Sequence, residues 1–326
     1  MSTASSSASS FAPSFDFDAA VSAPFRMQPG LRRLSAGSVQ LSPLPPGSRH
    51  QREKLAVLTA FWQQALCLQP GFDATPAVHT LFAHAAAEHP TAWAWNGRVA
   101  EALWLATAVA ADGDVLQRQP GQFGLGDEVA RCLLGLPPAW RQAGLAALAF
   151  AEDCAIVDGS SGCIPWLAVC LPSHWAPEEK LGRHFTDVHA PVADNTLLLR
   201  ATEGLMRVMT SPERWERFVW NVSDHPRLHA HPARVEARRW LQTPVAQGWF
   251  RSERQTFIPL PSAAQAVFTI HVQVQPLTTV LDSPARARAL HDAVASMSEA
   301  VLAYRSLAGV RDQLLAWLAE RARATA

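Results

Sequence analysis

The sequence predicts an α+β fold: a modest antiparallel sheet wrapped by helices, with a helical C-terminus. Three observations carry this reading. Apolar residues in the first half recur at helical spacing, two adjoining segments between residues 255 and 275 alternate with period two, and helical spacing returns after Ser283-Pro284.

The elements follow in order. Residues 1–18 are Ser- and Ala-rich and have neither a basic n-region nor an apolar h-region, so they read as a disordered leader and not a secretory signal. Residues 19–326 read as a single domain, irregular and rich in Pro, Gly and Ser up to about Ser48. Leu55, Leu58, Phe61, Trp62, Ala65 and Leu66 form an apolar stripe over a helix Glu53–Gln69. Thr75 then Pro76 opens a helix to about Glu88, as a cap followed by proline at the first helical position. Further helices are expected over Arg98–Ala111, Asp127–Leu134 (stopped by Gly135) and Pro138–Asp153. Trp166–Leu171 before Pro172 reads as a buried strand, and Arg217–Val222 alternates Phe218, Trp220 and Val222 against Arg217, Val219 and Asn221. Gln255–Leu260 and Ala266–Gln275 read as two strands of one hairpin, joined by Pro-Ser-Ala-Ala. Helices then run to about Arg323, with Leu307, Val310, Leu314, Leu315 and Leu318 as their buried stripe.

Composition narrows the function. Lys+Arg and Asp+Glu are both 28, so no net field draws the chain to nucleic acid or to an anionic membrane. The apolar runs Ala102–Ala111 and Cys163–Pro172 fall short of the roughly 20 residues that span a bilayer. Five widely spaced cysteines match neither a zinc nor an iron–sulfur ligand set, and read as the reduced thiols of a cytoplasmic protein. Twelve tryptophans against one tyrosine imply bulky, rigid core or pocket walls. There is neither a G-x-G-x-x-G nor a Walker A motif; Gly121, Gly124 and Gly126 read as a turn. A redox role would therefore need electrons from another protein.

Four groups of residues are candidates for chemistry. Glu152-Asp153, at the end of an apolar helix, reads either as a cation holder or acid–base pair, or as a solvated helix end. His225, His229 and His231 read as a metal cluster or a surface loop, with Pro226 and Pro232 against a helix that would align them. His79, His84 and His89, five apart, spread around a helix. The densest stretch is 171–195: Ser173 caps a short turn, Pro177 starts it, Glu178 and Glu179 favour its positive end, Lys180 its negative end, and Gly182 stops it. Thr186–His189 is then expected to be extended into Pro191, with His189 on a stiff, non-helical segment where an imidazole can be aimed.

This stretch resembles the haem-dependent oxidative N-demethylase family. The matching positions are Pro172, Ser173, Trp175, Pro177, Lys180 and Gly182, followed by His189, Pro191 and Val192. The Glu152-Asp153 pair, Glu253-Arg254-Gln255-Thr256, Leu260-Pro261 and Phe268-Thr269-Ile270 fit as well. So do Pro24-Phe25 and Gln28–Leu31 near the start and Tyr304-Arg305 and Leu314–Leu318 near the end, giving a likeness over about residues 20–320. The chain departs from the pattern at Ala193, Val219, Pro259 and His271-Val272. The resemblance implies a PAS-like antiparallel sheet binding haem b. It also implies oxidative removal of a methyl group from a small secondary N-methyl amine, with dioxygen and electrons from a separate flavin and iron–sulfur reductase, to give formaldehyde. His189 becomes the expected axial iron ligand. Arg254 and Lys180 are expected at the haem propionates, with Trp175 and Gln255 beside the cofactor, and Glu152 at the substrate ammonium. A non-catalytic haem or small-ligand sensor of PAS-type fold is the second reading, and a diverged member without haem a third.

Overall fold

The computed structural model describes residues 15–323 except 122–123, 191, 195, 197–201 and 237; the side chains at 189, 203 and 261 also lie outside the description. The architecture is α+β, as expected. In chain order the strands are β1 Arg32–Arg33, β2 Leu66–Leu68, β3 Trp93–Trp95, β4 Ala100–Ala102, β5 Thr107–Val109, β6 Val115–Gln117, β7 Asp153–Asp158, β8 Cys163–Ala168, β9 Trp215–Ser223, β10 Trp249–Leu260 and β11 Gln265–Pro276. The helices are α1 Phe17–Ala20, α2 Arg49–Ala65, α3 Thr75–Glu88, α4 Glu128–Leu134, α5 Arg141–Ala149, α6 Phe185–His189, α7 Thr202–Met209, α8 Leu277–Val280, α9 Pro284–Ala295, α10 Glu299–Tyr304 and α11 Arg311–Arg323.

Seven strands form one sheet in the order β1-β9-β10-β11-β7-β8-β2, and β3 to β6 form a second sheet of four. The pairings are antiparallel throughout. The expected hairpin is its centre: β10 and β11 pair over their full length, from Trp249 opposite Pro276 to Leu260 opposite Gln265. The long connection from β8 to β9 carries α6 and α7 across one face, here called the crossover face. The opposite, back face packs on residues 39–42 and on α3 and α5.

Several elements differ from expectation. Helix α2 starts at Arg49 instead of Glu53 because the Ser48 side chain caps it, accepting from the Gln51 N–H. Phe17 is buried against the C-terminal helices and Asp16 caps α1, so these two residues of the expected leader are part of the fold. The helix expected over Arg98–Ala111 is instead the β4–β5 hairpin, whose Thr107-Ala108-Val109 strand is wholly buried. Gly113 (φ +92°) makes the next turn, and a Cβ there would come within 2.7 Å of Pro138. The helix expected to reach Asp153 ends at Ala149, where Phe150 turns extended and bridges to Pro43. β8 lies a few residues earlier than the strand expected over Trp166–Leu171. Thr186–His189, expected to be extended, belongs to α6. His184 caps that helix, its Nδ1 lying 3.3 Å from the Thr186 N–H and 2.7 Å from the Thr186 hydroxyl. The restraint expected from Pro191 does not operate even on Ala190, whose backbone is helical (φ −56°, ψ −37°), and Pro191 itself lies outside the described residues. No helix among the described residues is long and apolar enough to cross a membrane.

Candidate functional site

Alternation along each strand sorts the candidate residues onto two faces. On β9 and β10, Arg217 lies opposite Gln255, Val219 opposite Glu253 and Asn221 opposite Arg251, all on the crossover face. Arg254 therefore points to the back. Its Nε meets the Glu216 carboxylate at 2.9 Å and a terminal nitrogen donates to the Val39 carbonyl at 3.0 Å, so Arg254 and Gln255 cannot line one pocket.

Glu152 is also at the back, and it is not a solvated helix end. It is 3% exposed, accepts from the Ser42 N–H at 2.8 Å and sits 3.2 Å from His271 Nδ1. Burial alone would raise its pKa, yet the bonds from His271 and Ser42 hold it below the usual carboxylate range. The apolar void that it lines, between α3, α5, β7 and β8, measures about 20 Å³, room for one water molecule. Asp153 is bound to Lys54 instead: the two are 0% and 1% exposed and 3.1 Å apart, and Lys54 also donates to the carbonyls of Phe150 and Glu152. Burial opposes the Lys54 charge, but Asp153 outweighs it and leaves the lysine pKa raised.

The histidine cluster is dispersed. His229 Nδ1 meets the Cys170 carbonyl at 2.7 Å and His231 Nε2 meets Glu178 at 3.1 Å. His225 faces His174 and its ring nitrogens have no hydrogen-bond partner. Burial, then Arg239, lowers the pKa of His174 to about 3 and of His225 to about 4. Among the described residues no group of three or more His, Cys, Asp or Glu side chains is arranged to hold a metal.

The crossover face has the makings of a ligand site. Phe185 of α6 and Leu205, Met206 and Met209 of α7 lie over Val157, Phe257 and Phe268. At the end of this layer a cleft of about 640 Å³ opens between the β7–β8 turn (159–162), His184, Thr186, Met206, Arg207 and Thr210, well within the range of small-molecule sites. Gly162 (φ +68°) is what allows this packing, since a Cβ there would collide with the His184 ring. Trp175 packs on the same face against Cys67, Ala155, Leu167 and Val169. Lys180 caps the 3-10 turn Pro177–Glu179. Gln255 donates to Glu253 at 2.6 Å, and Glu253 also holds the Ser173 hydroxyl. The backbone of His189 ends α6 over this face, whereas its side chain lies outside the described residues. Sequence reasoning did not single out Arg217 as a site residue. Its only signal is a charge on an alternating strand whose neighbours are apolar or aromatic.

The family model described as haem-dependent oxidative N-demethylase, alpha subunit-like, matches residues 143–315, more than half of the chain. A search of curated proteins finds no match.

Proposed function

Because the chain belongs to the haem-dependent oxidative N-demethylase alpha-subunit-like family, we propose that it is a haem-dependent oxidoreductase removing a methyl group from a small secondary N-methyl amine. Dioxygen is the oxidant, and two electrons and two protons enter through a separate flavin and iron–sulfur reductase. One oxygen atom leaves in formaldehyde and the other as water, with the shortened amine as the second product. The observation that carries this reading is the match over 143–315, because that span includes β7 to β11 and the α6–α7 cover, and so both walls of the cleft.

The residues present fit haem. The cover is apolar, the cleft has room for a cofactor, and Trp215 Nε1 and Arg217 Nε are shielded donors without partners on the same face. We place haem b in a PAS-like core formed by this sheet and its helical crossover, with His189 as axial ligand and Trp175, Lys180 and Gln255 around it. Bound there, haem supplies the activation of dioxygen, while the chain orients the amine and excludes water. Glu152 and Arg254, facing the back, are left out of this site. Glu253 takes over the expected role of Glu152, since its carboxylate is on the crossover face and 8% exposed.

Of the departures from the family pattern, Val219 lies on the crossover face opposite Glu253, whereas His271 belongs to the back-face network. A pocket altered at Val219 is expected to prefer an amine other than dimethylamine. Haem-loaded protein, given an artificial electron donor, dioxygen and a panel of N-methyl amines, is expected to release formaldehyde from at least one of them. Release from none, with the haem reducible, would favour a sensor over an enzyme.

A further inference from the structure

We infer that Arg217 is the docking point for a carboxylate carried by the molecule bound on the crossover face. The inference rests on the functional reading above for the identity of that molecule, and on the surroundings of one guanidinium for its chemistry.

Among the described residues three buried arginines are hydrogen-bonded by the chain, although Arg305 also keeps a shielded Nε without a partner. Arg251 donates to the Ser173 hydroxyl at 2.7 Å and to the carbonyls of Arg227 at 2.9 Å and Leu228 at 2.8 Å. Arg254 has Glu216 and Val39, and Arg305 donates to the Trp220 carbonyl and lies over the Phe25 and Trp220 rings. Arg217 has no hydrogen bond or ion pair among the described residues, and its Nε is shielded from solvent. Burial pulls its pKa below the ordinary guanidinium value, with Glu253 opposing.

A shielded guanidinium N–H without an acceptor is costly, and such a group calls for a ligand, an ion or water. Glu253 is the nearby opposite charge but does not hydrogen-bond Arg217, its oxygens accepting instead from Ser173 and Gln255. Directly opposite Arg217, Gln255 is turned toward Glu253 by the same bond. Two residues along the strand from Arg217, Trp215 adds a second unpartnered N–H and joins the cluster to which Met206 of the cleft belongs. A planar fork of donors beside an indole N–H suits a carboxylate, which accepts two parallel hydrogen bonds. Two sources of that group are compatible with the site: a haem propionate, or the carboxylate of an N-methylated amino acid.

Arg217→Met keeps the volume and removes the charge. Unliganded, the variant is expected to melt at a higher temperature than the wild type, because a shielded N–H without an acceptor is gone. In absorption titrations its haemin Kd is expected to rise at least tenfold, and the wild-type preference for haemin over haemin dimethyl ester is expected to vanish. If that preference survives but the variant no longer distinguishes N-methylglycine from dimethylamine, read as a spectral shift of haem-loaded protein, the carboxylate belongs to the substrate. A variant that melts lower when unliganded, or that retains both preferences, overturns the inference. Failure of the wild type to take up haem would end the functional reading alone, and the melting comparison would then decide the inference.

Discussion

Lys54→Met is expected to destabilise the protein by about 3–5 kcal/mol, the usual result of removing one partner of a fully buried ion pair. Lys54 and Asp153 are both buried, and Lys54 also joins α2 to the carbonyls of Phe150 and Glu152, where α5 gives way to β7. Asp153 in turn accepts the Leu171 N–H at 2.6 Å, which fixes the start of the 171–195 stretch. Losing the lysine leaves Asp153 charged and two carbonyls without a donor. Urea unfolding is the measurement. The double variant Lys54→Met/Asp153→Asn should recover part of the loss, because it removes the stranded charge as well. If the two single losses simply add in the double variant, the ion pair is not the source of the effect.

The second large effect is expected at His189, the proposed iron ligand. His189→Ala should abolish stable haem retention and shift the spin-state bands, while leaving the fold intact and allowing exogenous imidazole to restore the original bands. The fold is expected to survive because residue 189 is the last residue of a helix of only five residues. The structure also ranks the competing histidines. His231 and His271 each have a ring nitrogen against a carboxylate, of Glu178 and Glu152 respectively. His229 and His225 are the competitors left over: His229 has Nδ1 held by the Cys170 carbonyl and Nε2 unpartnered, the usual arrangement of a ligating imidazole, and the His225 ring is kept neutral by burial and has no hydrogen bond. An unchanged spectrum in His189→Ala, with loss in His229→Ala or His225→Ala, would move the ligand to that histidine.

How far these features were legible in the sequence depends on the kind of signal. The β10–β11 hairpin was readable because its alternation sets Phe268, Ile270, Val272 and Val274 apart from Thr269, His271, Gln273 and Gln275. The C-terminal helices were readable because Leu307, Val310, Leu314 and Leu318 keep helical spacing and are buried. β7 was not, since Cys154-Ala155-Ile156-Val157 is buried on both faces and has no alternation to reveal a strand. The β4–β5 hairpin was misread because its alanine-rich run carries helical propensity that tertiary packing overrides. In the site, residue type pointed correctly to Glu152-Asp153 as unusual, but only the fold reveals that Lys54 pairs with Asp153 and that His271 holds Glu152 at the back. Arg254 and Gln255 are adjacent in sequence and separated by the sheet, a distinction that follows only from knowing which face of β10 the crossover covers.

The most direct test of the account is a titration of the purified, unliganded protein with haemin, followed by absorption spectroscopy. The account predicts saturable uptake at one haem per chain, with a Soret band that sharpens and shifts on binding and changes again on reduction. A protein that stays spectrally unchanged beyond free haemin at every ratio would contradict both the enzyme and the haem-sensor readings.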